Sequence, residues 1–295
     1  MPTPVLYCRD PLNPRRVDEH FAPEAKAVRT VGGEVALVDH DALLAGDADA
    51  AVARVPQGLG GLWYRGWMVP SERYGALAEA LRRRGADLLT TPDRYRAAHE
   101  LPGWYAAFRD VTPASVWHPA RQSGGAVPSP DELTALAERL PAGPAVVKDY
   151  VKSRKDAWDE ACYVPDLADG PRLRRVVARF AALQDAYLTG GIVLRVFEPF
   201  ARHGETPAEM RVWWLDGVPR LVTPHPDNLH RGGPAPELGH IATAVRALGC
   251  RFVTTDVALR TDGVWRVVEV GDGQVSDLHR DVDPADLAVL LAGTR

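Results

Sequence analysis

An alternation of short apolar runs with helical segments over the first 110 residues is the feature that most constrains the fold. We predict strands over three of the apolar runs, at residues 4–8, 34–38 and 61–64. Apolar side chains at helical spacing predict two helices, at residues 17–31 and 71–84, with Ser71 as the N-cap of the second and Gly85 at its end. Strands that alternate with helices favour a small, largely parallel α/β unit.

The rest of the chain has a pattern in which antiparallel pairing dominates. A second α/β passage covers about residues 90–140, with an exposed loop at 122–130 and a short helix at 131–140. Beyond it we predict helices at 172–187 and 238–248, and strands at 145–148, 192–200, 209–215, 219–223, 252–259 and 265–270. The Asp-Gly pairs at 216–217 and 262–263 are strong hairpin signals. We therefore predict two domains, 1–110 and 111–295, of which the second is α+β.

Bulk composition excludes several classes of protein. The net charge of -4 is too balanced for a general nucleic-acid binder or a membrane-surface protein. No uncharged apolar stretch approaches the roughly 20 residues of a membrane span. Three cysteines without metal-ligand spacing are typical of buried thiols in a reducing compartment. We expect a cytoplasmic protein with neither nucleic acid nor membrane as a partner, and the sequence leaves open whether it forms a homodimer.

Lysine is distributed unevenly. Only four of the 35 basic residues are lysines, and three of the four, Lys148, Lys152 and Lys155, fall in one short window. Since arginine serves almost everywhere else, a compact ammonium group is expected to be required there. The segment places one lysine at the end of an apolar strand and further cations in a flexible loop, a pattern that suits a polyphosphate. A solvated, charged turn is the alternative.

Two carboxylates are predicted to face each other in the second hairpin. In a hairpin centred on residues 262 and 263, positions that sum to about 525 are opposite, and Asp256 and Glu269 satisfy this sum. Like charges directly opposed are destabilising unless something compensates them. Mg²⁺, which prefers carboxylate and phosphate oxygens, would do so. Alternatively, one carboxylate points to solvent or pairs with an arginine.

Charged residues also interrupt two apolar strands between these segments. They are Arg195 in the first strand, and Glu209 and Arg211 in the second. A buried charge generally needs a partner or a ligand. No Walker A sequence, Rossmann glycine fingerprint, HExxH or GxSxG is present, so the chemistry is expected to rest on these charged side chains.

The order of these features resembles that of ATP-grasp ligases. A Val-Val-Lys strand, a loop, a strand ending in Phe-Glu, a Glu-x-Arg strand, an Asp strand and a Val-x-Glu strand follow one another over roughly residues 90–280. The resemblance is strongest to the ATP-grasp clade named for two arginines and a lysine. It implies an α/β N-terminal (pre-ATP-grasp) domain followed by an α+β ATP-grasp domain whose two subdomains enclose the nucleotide.

The resemblance also implies roles for individual residues. Lys148 would contact the ATP phosphates, with Lys152 and Lys155 closing from the loop. Backbone groups of Phe197 and Glu198 would bind adenine, and Glu209 or Glu205 would bind the ribose.

The metal and the reacting groups have their own residues in this scheme. Asp256 and Glu269 would hold Mg²⁺. The family often has Asn two residues after the metal-binding Glu, but this chain has Gly271, so Asp272 is predicted to supply that ligand. Arg195 and Arg211 would face phosphate or the acyl intermediate.

An ATP- and Mg²⁺-dependent carboxylate-amine ligase is the function that this resemblance implies, with an acyl phosphate as intermediate and small molecules or peptides as the carboxylate and amine substrates. Arg65, at a strand end of the first domain, is predicted to clamp the substrate carboxylate, although it could equally be a surface arginine stacked on Trp63 or Trp67. Two other functions remain open: phosphate transfer to a non-carboxylate acceptor, and a non-catalytic nucleotide-binding or protein-interaction module.

Overall fold

The computed structural model describes residues 2–120, 127–203, 206–207, 209–227 and 234–293. The chain forms two compact units, each assembled from separate stretches. The first comprises Met1–Ala98, Glu209–Val257 and Glu269–Arg295, and the second comprises His99–Ala208 and Ala258–Val268. The division at residue 110 expected from the sequence does not coincide with these units and stays a prediction about domains.

A four-stranded parallel sheet forms the N-terminal part of the first unit. Its strands, in chain order, are β1 (Val5–Cys8), β2 (Val35–Val38), β3 (Gly60–Arg65) and β4 (Ala86–Leu88). Their order in the sheet is β2-β1-β3-β4, and every described pair is parallel. All four residues of β1 are buried, as expected for a central parallel strand. The predicted α/β unit is confirmed.

Helices connect these strands and pack on the sheet. They are α1 (Ala22–Thr30), α2 (His40–Ala45), α3 (Ala48–Val52), α4 (Ser71–Arg82) and α5 (Pro92–His99). Helix α1 starts later than predicted, after a 3-10 turn at Glu19–Phe21, and Pro23 stands in its first turn, where a missing N–H is tolerated. The predicted N-cap of α4 is wrong, because Pro70 occupies that position and Ser71 is already helical.

The second compact unit contains an antiparallel sheet with helices. Its elements are α6 (Leu101–Phe108), β5 (Ser115–Pro119), α7 (Pro130–Ala137), β6 (Ala145–Lys148), β7 (Tyr163–Val164), α8 (Gly170–Gln184) and β8 (Gly191–Val196). The strand order is β5-β8-β6-β7. A capping box of Ser129 and Glu132 starts α7 one residue before the predicted position. Most of the loop predicted at 122–130 lies outside the described residues.

The C-terminal part of the chain supplies a third sheet. After a short pair of β9 (Arg202–His203) and β10 (Thr206–Pro207) come β11 (Glu209–Leu215), β12 (Val218–Pro224), α9 (Gly239–Leu248), β13 (Phe252–Leu259), β14 (Trp265–Asp272) and α10 (Pro284–Ala292). The order in this sheet is β12-β11-β13-β14. Both predicted hairpin partners are therefore neighbours. Among the described residues, no helix is long and apolar enough to cross a membrane.

Candidate functional site

Three ionisable side chains of the first unit converge on the β11-β13 part of its antiparallel sheet. Glu209 begins β11, His225 follows the end of β12, and Asp256 lies within β13. One ligand atom from each of the three lies within 4.8 Å of the others, and Glu209 and Asp256 are both buried. The arrangement can hold a metal ion or a similarly charged group.

Arg211 binds the central carboxylate of this cluster. Its Nε donates to Asp256 Oδ1 at 2.8 Å and its Nη2 to Oδ2 at 2.9 Å, while its Nη1 donates to the backbone carbonyl of Asp277 at 2.9 Å. His225 Nε2 lies 3.4 Å from Asp256 Oδ2. Because two forked bonds and a third to the backbone fix its plane, the guanidinium is held rigidly at this edge of the cluster.

Charge pairing controls the protonation states here. Burial alone would raise the pKa of Asp256, but Arg211 and His225 outweigh it and hold that pKa well below its usual range. Burial would lower the pKa of His225, yet its contact with Asp256 and the charge of Glu209 raise it above the ordinary value. Asp256 is therefore ionised at neutral pH, and the imidazolium form of His225 is favoured.

Glu269 lies on β14, the strand beside β13. Like Asp256, it raises the pKa of Arg211 through its charge, whereas burial, the largest influence on that pKa, acts in the opposite direction. Both predicted metal carboxylates thus act on the same guanidinium.

Asp272 has different surroundings from the other predicted ligands. It is fully buried at the end of β14, and its Oδ1 accepts hydrogen bonds from the backbone N–H and the side-chain amide of Gln274, at 2.9 and 3.0 Å. Its Oδ2 has no hydrogen-bond partner among the described residues. Burial raises the pKa of Asp272 to about 7, while the Gln274 bonds act against the rise.

The donor set of Glu209, Asp256 and Glu269 fits Mg²⁺ because carboxylate oxygens are the ligands this ion prefers. Three acidic side chains meet one arginine and one histidine, so a divalent cation would balance the remaining charge. Asp272 fits such a role less well, since Gln274 already occupies one of its oxygens.

The predicted phosphate-binding lysine lies in the second unit, at the end of β6. Lys148 is 6% exposed and its Nζ lies 3.5 Å from the carbonyl of Val151. The segment after it forms a tight turn rather than the open, flexible loop expected. Buried Asp149 accepts the backbone N–H groups of Val151 and Lys152 with Oδ1, and Lys148 pairs with Ser153 across the turn.

The remaining lysines of the window are on the surface. Lys152 is exposed within the turn, and Lys155 is exposed at the start of a 3-10 turn, Lys155–Ala157. All three lysines belong to the second unit.

Arg195, on β8, is held within the second unit. Its Nη2 donates to Thr112 Oγ1 at 2.6 Å and to the carbonyl of Val267 at 3.1 Å, and its guanidinium carbon lies 5.8 Å from the Trp104 ring centroid. These contacts give Arg195 a packing role, and its predicted contact with phosphate stays a prediction.

The segment after β8 is the one predicted to bind adenine through its backbone. The N–H of Phe197 donates to the carbonyl of Pro144 at 2.9 Å, and the Glu198 carboxylate accepts two bonds of 3.0 Å from Arg266. The Phe197 ring lies 5.3 Å from that of Tyr163, which is stacked on Trp158. Glu205, the alternative ribose ligand, lies outside the described residues.

Arg65 does not lie on the surface. Its side chain is fully buried, and it forms two bonds to the Glu24 carboxylate, at 2.7 and 2.8 Å, and a third to the carbonyl of Gln274 at 3.1 Å. A substrate carboxylate would have to displace these partners. The alternative of a surface arginine is wrong, and the substrate role has no support from these contacts.

Sequence reasoning missed four residues that organise these groups, namely Glu24, Asp149, His225 and Gln274. Glu24 is 41 positions from Arg65, and Gln274 is 200 from Tyr74, to whose hydroxyl oxygen its amide donates at 3.0 Å. No local pattern signals pairs so distant in sequence. Asp149 offered one signal, since a lone acid within a basic window commonly binds backbone N–H groups in a turn.

Residues 136–291 match the family model of an ATP-grasp domain, family 3 of the clade named for two arginines and a lysine. The chain belongs to this family. The predicted family and fold class are thereby confirmed, and the protein is an ATP-dependent ligase with ATP and Mg²⁺ as its cofactors.

Solved structures share the fold at low sequence identity. The ATP-grasp ligase PsnB, complexed with a minimal precursor, Mg and ADP, is 15% identical with a TM-score of 0.59, over 98% of this chain and 97% of that one. D-cycloserine synthetase DcsG is 18% identical with a TM-score of 0.60, over 97% and 98%. A RimK domain ATP-grasp protein from Sphaerobacter thermophilus DSM 20745 is 15% identical with a TM-score of 0.60, over 98% and 100%. No curated protein matches the sequence.

Proposed function

We propose that this ATP-grasp ligase joins a carboxylate to an amine, forming an amide or peptide bond through an acyl phosphate. The observation that carries the proposal is the cluster of Glu209, Arg211, His225 and Asp256 on one sheet. It combines carboxylates able to hold Mg²⁺ with a fixed guanidinium able to bind a phosphate or a developing oxyanion. Among the described residues it contains no serine, cysteine or threonine nucleophile, so the side chains act by positioning and charge.

The expected chemistry makes few covalent demands on the protein. The substrate carboxylate attacks the γ-phosphorus of ATP and the bond to ADP breaks, which leaves an acyl phosphate. An amine then displaces the phosphate and forms the amide. Positioning and charge neutralisation are the main contributions of protein groups to phosphoryl transfer.

Each group of the cluster has a proposed part. Asp256, Glu269 and Glu209 would hold Mg²⁺, which supplies charge neutralisation at the phosphates when bound. Arg211 would orient the transferred phosphoryl group through its Nη atoms, and Lys148 would contact the ATP phosphates. The proposal extends to peptide substrates because PsnB, a neighbour in fold, was solved with a precursor peptide.

ADP release tests this function. The twenty amino acids and a set of dipeptides, alone and in pairs, are incubated with the full chain and Mg-ATP. We expect ADP release that depends on a carboxylate substrate, and its loss in Lys148→Ala and Glu269→Ala with an unchanged far-ultraviolet spectrum. Hydroxylamine should trap the activated acyl group as a hydroxamate. Release of AMP and pyrophosphate, or ADP release without any hydroxamate, would contradict the proposal.

A further inference from the structure

A histidine and a carboxylate from distant parts of the chain meet beside Arg211. Nε2 of His20 lies 2.9 Å from Oδ1 of Asp277, and both side chains are about half exposed, at 44% and 50%. The imidazole ring lies 4.6 Å from the Trp67 ring and 4.7 Å from that of Phe21. A half-exposed imidazole fixed by a carboxylate and two aromatic rings is held more firmly than a surface histidine needs to be.

Trp67 is fixed in the same way and faces solvent in part. Its Nε1 donates to Asp18 Oδ2 at 3.0 Å, and the residue remains 38% exposed, next to Met68 at 39%. We call the surface of Asp18, His20, Trp67 and Asp277 the His20 surface. It offers an aromatic face between two carboxylates, and both features attract a cation.

A single residue connects the His20 surface to the proposed reaction centre. Asp277 binds His20 through its side chain, and its backbone carbonyl accepts the 2.9 Å bond from Nη1 of Arg211. All of these residues belong to the first compact unit. The matched family segment begins at residue 136, so the family match assigns no role to His20 or Trp67.

We propose that the His20 surface receives the amine substrate as an ammonium ion attached to an apolar or aromatic group, and that His20 takes up its proton. This inference rests on the proposed function. Since Nε2 holds Asp277, Nδ1 is the ring nitrogen left to accept a proton, and within the described part of the chain no hydrogen bond reaches it. The charged groups around the ring are Asp18 and Asp277, with Arg65 over the far side of Phe21, 5.5 Å from that ring.

The proton transfer completes the second half of the reaction. One proton of the ammonium passes to Nδ1 of His20, which frees the nitrogen lone pair. This pair forms the C–N bond as the C–O bond to phosphate breaks, and the electrons of the broken bond stay on the phosphate oxygen. That oxygen takes the second proton that the nitrogen loses, so an amide, hydrogen phosphate and a protonated His20 result.

Binding is tested first, without any need for turnover. The His20 imidazole signal of the full chain is assigned by its loss in His20→Gln and followed by NMR during titration with 2-phenylethylammonium, which carries no carboxylate. We expect a saturable shift that uncharged 2-phenylethanol does not cause. Asp277→Asn should weaken binding about tenfold, and His240→Gln, on the exposed face of α9, should not change it. Absence of the shift, or an equal shift with 2-phenylethanol, would overturn the subsite, whether or not the protein ligates.

Kinetics then test the proton transfer, with the most active substrate pair from the ADP screen. In His20→Gln, kcat/KM for the amine should fall at least about 100-fold, and the acidic limb of its pH profile should disappear. Hydroxylamine, a nucleophile that is largely unprotonated at neutral pH, should trap the acyl phosphate at the wild-type rate. Equal losses with hydroxylamine and with the amine would show a merely structural histidine and contradict the role.

Discussion

Arg65 and Glu24 form an ion pair whose contribution a single substitution can measure. Arg65 is fully buried and binds both carboxylate oxygens of Glu24. Removal of one partner leaves a buried charge uncompensated, which typically costs about 3–5 kcal/mol. We expect Glu24→Gln to lower the free energy of unfolding by roughly that amount, as measured by urea denaturation.

Glu79→Gln is the matched control, because its partners Arg82 and Arg83 are both solvent-exposed. It should leave the denaturation midpoint unchanged. If Glu24→Gln instead kept full stability and raised the KM of the carboxylate substrate, the predicted substrate clamp at Arg65 would regain support.

Asp272 and Glu269 separate by their response to magnesium. Since Oδ1 of Asp272 is occupied by Gln274, we expect Asp272→Asn to change the Mg²⁺ concentration for half-maximal ADP release less than about twofold. Glu269→Gln should raise it at least about tenfold, as the loss of a ligand does. The measurement is a Mg²⁺ titration at fixed ATP. A tenfold rise in Asp272→Asn would place Asp272 among the ligands, as the sequence predicts.

At the scale of secondary-structure elements, the turn after β6 depends on one side chain. Asp149 Oδ1 accepts N–H groups of Val151 at 2.7 Å and Lys152 at 2.5 Å, and Oδ2 accepts the Gln184 amide at 2.8 Å. Asp149→Ala leaves these donors without their acceptor, and each buried donor left unpaired costs about 1–3 kcal/mol. We expect the variant to lose stability and its KM for ATP to rise about tenfold, because Lys148 leads directly into this turn.

Asp166→Ala serves as its control, since Asp166 also binds a backbone N–H, that of Ala168, but in an exposed turn of the same unit. ATP saturation curves at one temperature, with both variants checked by thermal melting, decide the matter. An unchanged KM in a destabilised Asp149→Ala would leave the turn a purely structural feature.

Several elements could be predicted residue for residue, and their common property explains why. Strands β6, β11 and β13 have the predicted bounds, and each is an apolar run ended by a charged residue or a turn. Period and turn chemistry are local signals. The N-cap of α4 is wrongly predicted because serine is only statistically preferred there, whereas Pro70 sets the extended backbone that precedes the helix.

The candidate site was predictable only in part for the same reason. Lys148, Asp256 and Arg211 stand out as charges within apolar strands. His225 and Gln274 carry no such mark, since their neighbours come from distant parts of the sequence. Pairings of this kind are set by tertiary packing, which a single sequence does not display.

At the scale of the whole molecule, the three cysteines can report the opening of each compact unit. Burial raises the pKa of Cys8 and Cys162 to about 11 and that of Cys250 to about 12. At pH 8 a thiol of pKa 11 is about one part in a thousand thiolate, so native-state labelling should be very slow. Cys8 and Cys250 belong to the first unit and Cys162 to the second.

Labelling should therefore follow local or global opening. In variants that keep a single cysteine, we expect Ellman's reagent to react with Cys162 only as the second unit opens, and Mg-ATP at 100 times its Kd to slow that reaction about 100-fold, since binding stabilises the closed form. The same ATP concentration without Mg²⁺ is the control. A Cys162 rate indifferent to Mg-ATP would mean that the second unit, with its three lysines, opens without releasing nucleotide, which the phosphate contact proposed for Lys148 does not allow.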